Sequence, residues 1–306
     1  MKAGVQIADA LAERIASPAT IIRRNEPLAK HTTLRIGGPA DVYVEPASEE
    51  DLVAIVKCCR GQGVPFFVMG RGSNLLVRDG GFRGVVICLS HANFSRIDIL
   101  GECLVCGAGA RLKTVAVEAR GHGLSGLEFF EGIPGSVGGA LRMNAGAMGG
   151  ATFDIVESVR LMDFDGQVRE LMPREMSVEY RGCATLKNHV ALCAVFKGRP
   201  DSQESILQRM TAFGRKRWTS QPAAPSAGCM FKNPMEIPAG KLIDELGLKG
   251  TRVGGAVVSA RHGNFIVNEG NATAGDVLAL IALLKRRVKE ARGIELRTEV
   301  EVIGGE

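Results

Sequence analysis

The sequence predicts an α+β protein of two domains, and three observations carry that expectation. In the first half, apolar helical periods and short apolar strands succeed one another without the regular strand-helix winding of a parallel sheet. The dipeptide Asp165-Gly166 joins two strand-like runs, Val156–Phe164 and Gln167–Leu171, as an antiparallel hairpin. At Gly198-Arg199-Pro200 a strand ends, and a charged helix from about Ser202 to Arg217 opens a second region with its own helices and glycine turns. The chain of 306 residues is long enough for two cores, here placed at 1–198 and 199–306.

Val5 to Ser17 carries an amphipathic helical period with Asp9, Glu13 and Arg14 on its polar side. Asp41–Glu45 reads as a strand, and Ser48 caps a helix whose Leu52, Ile55, Val56 and Cys59 share one face. Pro65–Met69 is a buried strand, followed by short strands at Leu75–Val77, Gly84–Leu89 and Glu102–Cys106 and a helix at Leu112–Gly121. Beyond the Asp165-Gly166 hairpin comes a strand at Val190–Lys197. The second region reads as a helix, a proline-rich loop, a strand-like Cys229–Lys232, a helix at Ala239–Leu246, short strands, a helix at Ala274–Arg292 and a last strand at Leu296–Ile303. That last strand is expected to return to the N-terminal domain.

Composition excludes several classes of function. Forty-five per cent apolar and 23% charged residues are ordinary for a globular protein. The net charge is only +5, its cations are interspersed with acids, and two Tyr and one Trp leave little to stack on bases, so nucleic acid is not an expected partner. No apolar run approaches the roughly 18 residues of a membrane span, and the N-terminus lacks a secretory pattern. The eight cysteines show neither disulfide-framework nor zinc spacing. Cys103-Leu-Val-Cys106 alternates as a strand, so its thiols read as structural, and no metal is expected. A cytoplasmic monomer that handles small anionic molecules is the expectation.

The ligand is indicated by glycines. In Gly132-Ile133-Pro134-Gly135-Ser136-Val137-Gly138-Gly139, the four glycines tolerate positive φ and leave backbone N–H groups free for phosphate oxygens. Asn144-Ala145-Gly146 continues the run. A second strand-to-glycine turn, Gly70-Arg71-Gly72-Ser73-Asn74, has the same character, although alone it reads equally well as a plain tight turn. Two such loops suit a diphosphate. Neither is a Walker A loop, and the G-x-G-x-x-G spacing of the common NAD fold is absent.

Together these residues resemble the FAD-binding domain of the vanillyl-alcohol-oxidase and p-cresol-methylhydroxylase superfamily. More narrowly, the chain is similar to the shorter form of the UDP-N-acetylenolpyruvoylglucosamine reductase family. The resemblance runs in order through His31–Gly38, Gly70–Asn74, Gly126–Glu128, Gly132–Gly139, Met143–Gly146, Glu179–Arg181, Phe231–Pro234, Ala239–Ile243 and Thr298–Val300. It implies a flavin domain of two α+β subdomains and a smaller α+β substrate domain. It also implies non-covalent FAD, NADPH as hydride donor, hydride delivery to the enolpyruvyl C3 of a UDP-sugar and protonation at C2, in peptidoglycan precursor synthesis. The glycine loops would hold the cofactor.

Three residues match the family's catalytic positions. The resemblance gives Arg181 the substrate carboxylate, where enolate charge develops, and Glu299 a hydrogen-bonding acid's role beside it. Read alone, Arg181 would be a surface ion-pairing residue and Glu299 a solvent-facing strand residue. Cys229 stands where the commoner pattern has the proton-donating serine. A thiol, ordinarily titrating at about 8.5, is still protonated at neutral pH and still able to donate. Lys232 and Asn233 fall where the family contacts the UDP-sugar, and Arg217 stands in for a lysine often found before Gln221-Pro222. The alternatives are another FAD-linked sugar or alcohol oxidoreductase of the superfamily, or a non-catalytic nucleotide-binding module.

Overall fold

Ser48 starts a helix as its sequence requires. Its side chain accepts the Asp51 N–H at 3.1 Å, and Leu52, Ile55, Val56 and Cys59 on the following turns are buried. A computed structural model describes residues 2–306, with side chains from Gln6 onward.

In chain order the elements begin with α1 (Lys2–Ala12), β1 (Ile21–Pro27), β2 (Pro39–Glu45), α2 (Glu49–Gly61), β3 (Phe66–Met69), β4 (Leu75–Val77) and β5 (Phe82–Cys88). They continue with β6 (Ile97–Leu100), β7 (Cys103–Gly107), α3 (Leu112–Gly121), β8 (Leu124–Ser125), α4 (Val137–Met143), β9 (Gly146–Ala147) and β10 (Gly150–Ala151). Then come β11 (Val156–Asp163), β12 (Val168–Leu171), β13 (Val178–Glu179), β14 (Gly182–Cys183), β15 (His189–Lys197), β16 (Arg199–Pro200) and α5 (Gln203–Ser220). The chain finishes with β17 (Ser226–Cys229), α6 (Ala239–Glu245), β18 (Arg252–Val253), β19 (Ala256–Val258), β20 (Phe265–Asn268), α7 (Ala274–Arg292) and β21 (Glu301–Ile303). The mixture is α+β, as expected.

These elements form two compact units. The first takes residues up to Arg24, then Asp41–Arg71 and Gly84–Lys216; the second takes Asn25–Ala40, Gly72–Arg83 and Arg217–Glu306. The chain therefore passes between units repeatedly, where a single boundary at 198 was expected, and α5 up to Lys216 belongs with the first. Local sequence marks none of these crossings, because they fall inside the continuous strands β1, β2 and β5, in a glycine loop and inside helix α5.

In the first unit, the antiparallel sheet β12-β11-β15-β7-β6 carries the predicted hairpin, with Gly166 at φ +83° and Asp163 Oδ1 accepting the N–H groups of Asp165 and Gln167 at 2.9 Å. A second sheet runs β1-β2-β5-β3, its β3 and β5 parallel. Leu104, Val159, Leu161 and Phe196 of the larger sheet share one core with Leu112 and Val115 of α3 and Val137 and Leu141 of α4. Cys106 lies in this core, where burial pushes its thiol up to about 12, so it behaves as a small apolar group. Strand β1 was not expected, since its side chains are mostly exposed and no alternation survives at that edge. Helix α1 ends at Ala12 rather than Ser17.

In the second unit, the antiparallel sheet β17-β20-β19-β18 packs under α6 and α7, with Leu242, Ile243, Val277, Leu280 and Leu284 against Phe231, Val258 and Ile266. Leu34, Ile36 and Leu76, from the two early segments, are buried in the same core. Strand β21 pairs in parallel with β4, Val302 opposite Leu76. The last strand thus joins an N-terminal stretch of sequence, but one that belongs to its own unit. It is also shorter than expected, because Thr298 makes a separate bridge to Phe231 before the ladder with β4 begins.

Helix α7 is fixed at its start by a capping box. Thr273 Oγ1 accepts the Asp276 N–H and Asp276 Oδ2 accepts the Thr273 N–H, both at 3.0 Å. The Asp79 carboxylate takes the next two donors, Ala274 N–H at 2.9 Å and Gly275 N–H at 3.0 Å. The Thr273 and Gly255 N–H groups hold the Asp276 carboxyl below its ordinary 3.8. A depressed carboxyl contributes stability above its unfolded value and loses it as pH falls through the folded one. Thr273→Ala is expected to cost about 1 kcal/mol. The melting-temperature gap between wild type and Asp276→Ala, followed from pH 7 downward, is expected to narrow once pH drops below about 4.

Candidate active site

In the first unit, three segments converge on the glycine run. Val137 N–H donates to Ala110 C=O at 2.9 Å, Gly138 N–H to Ala108 C=O at 2.8 Å and Leu112 N–H to Gly135 C=O at 3.2 Å, while Arg111 bridges Ser136. This corrects two expectations. The N–H groups of Val137 and Gly138 are already bonded, and none of Gly132, Gly135, Gly138 and Gly139 takes positive φ. Gly138 serves close packing instead, since a Cβ there would stand 3.2 Å from the Ala108 Cβ. Ile133 and Pro134 lead into α4, Ser136 is buried at its start, and Ala145 is held by Ala140 C=O at 2.9 Å.

Gly70 lies against this segment so tightly that a Cβ would come within 2.6 Å of Ser136 Oγ. Arg71 follows it, its guanidinium pushed down by burial and by the charge of Arg111. Two cations whose charges oppose one another thus border bare backbone, an arrangement that fits an anionic diphosphate. Arg111 was missed in the sequence. The available signal was a lone cation directly after Gly107-Ala-Gly-Ala110 and directly before a helix.

Arg181 belongs to the same unit and is held by the end of the glycine run. It occupies a two-residue turn between β13 and β14 with φ +56°, a left-handed conformation uncommon for a side-chain-bearing residue. Its guanidinium donates to Gly146 C=O at 3.1 Å and lies over the Tyr180 ring at 5.3 Å. A Cβ at position 146 would stand 2.8 Å from Gly150 C=O and 3.0 Å from Arg181 Nη1, so glycine there makes room for the facing strand and for the arginine. Asn144, itself left-handed at φ +39°, donates to Glu179 C=O at 3.2 Å and accepts Phe153 N–H at 3.2 Å. Its side chain ties the turn of Arg181 to the glycine segment.

The second unit holds the remaining residues. Gly72 has φ +61°, and a Cβ would stand 2.2 Å from His31 C=O. Ser73 C=O lies 3.9 Å from the Cβ position of Gly228, the residue before Cys229. Asn74 holds the segment from Glu299 to Glu301 with two bonds: its Nδ2 donates to Glu299 C=O at 3.1 Å, and its own C=O accepts Glu301 N–H at 3.0 Å. On its other side, Glu299 N–H donates to Met230 C=O at 2.8 Å. The half-buried Cys229 pairs with Phe265 and immediately precedes Met230, so Cys229 and Glu299 sit on neighbouring stretches of backbone. Lys232 N–H donates to Arg297 C=O at 2.9 Å, and exposed Asn233 accepts the Ala239 N–H at 3.1 Å. Arg217, near the end of α5, lies 5.9 Å from the Trp218 ring, and Arg261 donates to Trp218 C=O at 2.8 Å. The structure thus brings Gly70 and Arg71 together with the 132–146 run and Arg181, and brings Gly72, Ser73 and Asn74 together with Cys229 and Glu299.

Residues 40–172 match an FAD-binding domain. With the glycine cradle and its paired arginines, that match defines the protein as an FAD-binding oxidoreductase. Residues 221–303 match the C-terminal domain of UDP-N-acetylenolpyruvoylglucosamine reductase. The chain is 45% identical to the UDP-N-acetylenolpyruvoylglucosamine reductase of Syntrophomonas wolfei over 94% of this chain and 97% of that one. It is 42% identical to the Clostridium novyi enzyme of that name, over 93% of each. The crystal structure of the Thermus caldophilus UDP-N-acetylenolpyruvylglucosamine reductase superposes with a TM-score of 0.81 at 41% identity, covering 92% of this chain and 99% of that one. The chain belongs to the UDP-N-acetylenolpyruvoylglucosamine reductase family.

Gly70→Ala is expected to weaken FAD retention, because its methyl group meets Ser136 Oγ. Adding Ser136→Ala removes that oxygen and leaves the nearest carbon 3.8 Å away, in ordinary contact. Titration of apoprotein with FAD, followed by flavin fluorescence, is expected to show a loss in Gly70→Ala and substantial recovery in the double variant.

Proposed function

We propose that this protein reduces UDP-N-acetylenolpyruvoylglucosamine to UDP-N-acetylmuramate at the expense of NADPH, with FAD non-covalently bound, as a monomer in the cytoplasm. The observation that carries the reading is the conjunction of an FAD-binding domain at 40–172 with a reductase-type C-terminal domain at 221–303. The structure adds a thiol and a carboxylate on adjacent backbone in that second region. Eight free thiols support a reducing compartment, and no described helix is long and apolar enough to cross a membrane.

Residues 70–74 and 132–146, with Arg71 and Arg111, would hold the FAD. Bound there, FAD would supply the hydride relay from NADPH to C3 of the enolpyruvyl group. Arg181 binds the substrate carboxylate and stabilises the negative charge that grows at C2 as hydride arrives. Its left-handed turn and its bond to Gly146 fix the guanidinium before substrate arrives, so little reorganisation accompanies the reaction. Cys229 gives the Sγ proton to C2, completing the addition of two hydrogens across the double bond, and solvent then reprotonates the thiolate. Glu299 acts as a hydrogen-bonding acid beside the carboxylate. Lys232 and Asn233 contact the UDP-sugar, and Arg217 meets its diphosphate.

Anaerobic stopped-flow absorbance tests this reading. NADPH is expected to bleach the flavin, and the enolpyruvyl substrate to restore its colour rapidly; recovery with oxygen alone would sink it. Cys229→Ser is expected to keep most of the reoxidation rate and Cys229→Ala to lose about 10²–10⁴-fold, the usual worth of a positioned acid. Equal rates in both variants and wild type would remove Cys229 from the mechanism.

A further inference from the structure

The segment from Cys229 to Lys232 changes partners in mid-course. Up to Met230 it pairs with the residues around β20: Cys229 lies opposite Phe265, and Met230 N–H donates to Asn264 C=O at 2.8 Å. From Met230 onward it also pairs with 297–299, through Glu299 N–H to Met230 C=O and Lys232 N–H to Arg297 C=O, with Phe231 bridging Thr298. That pairing leaves the N–H and C=O of Phe231, a residue 1% exposed, facing away from 297–299. Both are met by one side chain. Asn264 Oδ1 accepts the Phe231 N–H at 2.9 Å, and Asn264 Nδ2 donates to the Phe231 C=O at 2.8 Å.

A primary amide offers one acceptor and a donor at the spacing of a peptide group, so Asn264 stands in for one residue of a missing strand. It is itself 2% exposed, and its own N–H donates to His262 Nδ1 at 3.2 Å. Its backbone and side chain therefore hold both Met230 and Phe231, the two residues after Cys229. Met230 in turn holds Glu299.

We infer that Asn264 is a positioning residue for the proposed proton-transfer step, fixing the backbone that carries Cys229 against the segment 297–299 that carries Glu299. This rests on the roles proposed for Cys229 and Glu299. Asn264 acts through Met230 and Phe231.

The test uses the holoenzyme in Asn264→Ala and the near-isosteric Asn264→Asp, which keeps an acceptor for Phe231 N–H and loses the donor. The expected result is selective. Flavin reduction by NADPH stays near the wild-type rate, while reoxidation by the enolpyruvyl substrate falls about tenfold to a hundredfold in Asn264→Ala and less in Asn264→Asp, as a misplaced donor would produce. A second readout does not depend on turnover: iodoacetamide alkylation of each cysteine, read by peptide mass. Cys229 is expected to react several-fold faster in Asn264→Ala, while Cys88 and Cys193, half-buried in the first unit, keep their rates. Parallel loss of both half-reactions with all three thiols more reactive would reduce Asn264 to general support of the fold and overturn the inference, as would no change in any readout. If wild type is reoxidised by oxygen alone, the proposed function fails, while a selective change at Cys229 still establishes the positioning.

Discussion

The second unit is made of three stretches of chain far apart in sequence, and backbone hydrogen bonds between those stretches are what the site depends on. Asn74 comes from one stretch and Glu299 from another: the Asn74 side-chain amide donates to Glu299 C=O and the Asn74 C=O accepts Glu301 N–H, which fixes the backbone that carries the carboxylate. β4 and β21 continue the same contact as a parallel ladder. Each buried peptide group here needs a partner, and an unmet one costs about 1–3 kcal/mol, so the register has little freedom to slip. Where the ladder has no strand to offer, an asparagine amide supplies the missing donor and acceptor. Thr33 adds another tie, donating its hydroxyl to Ser226 C=O at 2.7 Å.

The first unit solves a different problem, that of bringing bare backbone and fixed cations together. Gly70 and Gly146 are needed as glycine because of what their missing Cβ atoms would strike: the Ser136 hydroxyl in one case, the Gly150 carbonyl and then the Arg181 guanidinium in the other. Gly138 packs closely on Ala108. None of these three has positive φ, so their purpose is close approach rather than conformational freedom. Left-handed backbone falls instead on Asn144, Met148 and Arg181, a conformation that asparagine tolerates and the other two adopt only where their surroundings enforce it.

Much of this was legible in the sequence where the signal was local. The Ser48 cap, the Asp165-Gly166 hairpin, α3 and β4 fall where period and turn chemistry put them. Helix α4 was not legible, because two adjacent glycines depress helix propensity and seven residues are too few to show a period. It exists because Ala108 and Ala110 supply acceptors to its first turn from another segment. Edge strand β1 shows no continuous apolar face, and β6, with only Ile97 and Ile99 turned to the core, is too short to display its alternation. The ordered motifs identified the candidate residues, but not the sorting of Gly70–Arg71 and Gly72–Asn74 into different units, which leaves no local trace. Nor does a single asparagine in a turn announce that it completes a neighbouring strand.

The interleaving of the units has a consequence for synthesis. Residues 25–40 and 72–83 leave the ribosome well before residues 217–306, which complete their core. Until then Leu34, Ile36 and Leu76, each no more than 3% exposed in the finished molecule, have nothing of their own to pack against. A nascent chain can build the first unit's larger sheet early while carrying these apolar stretches uncovered. The period of greatest exposure to aggregation or chaperone capture is therefore the time taken to translate the last 90 residues or so.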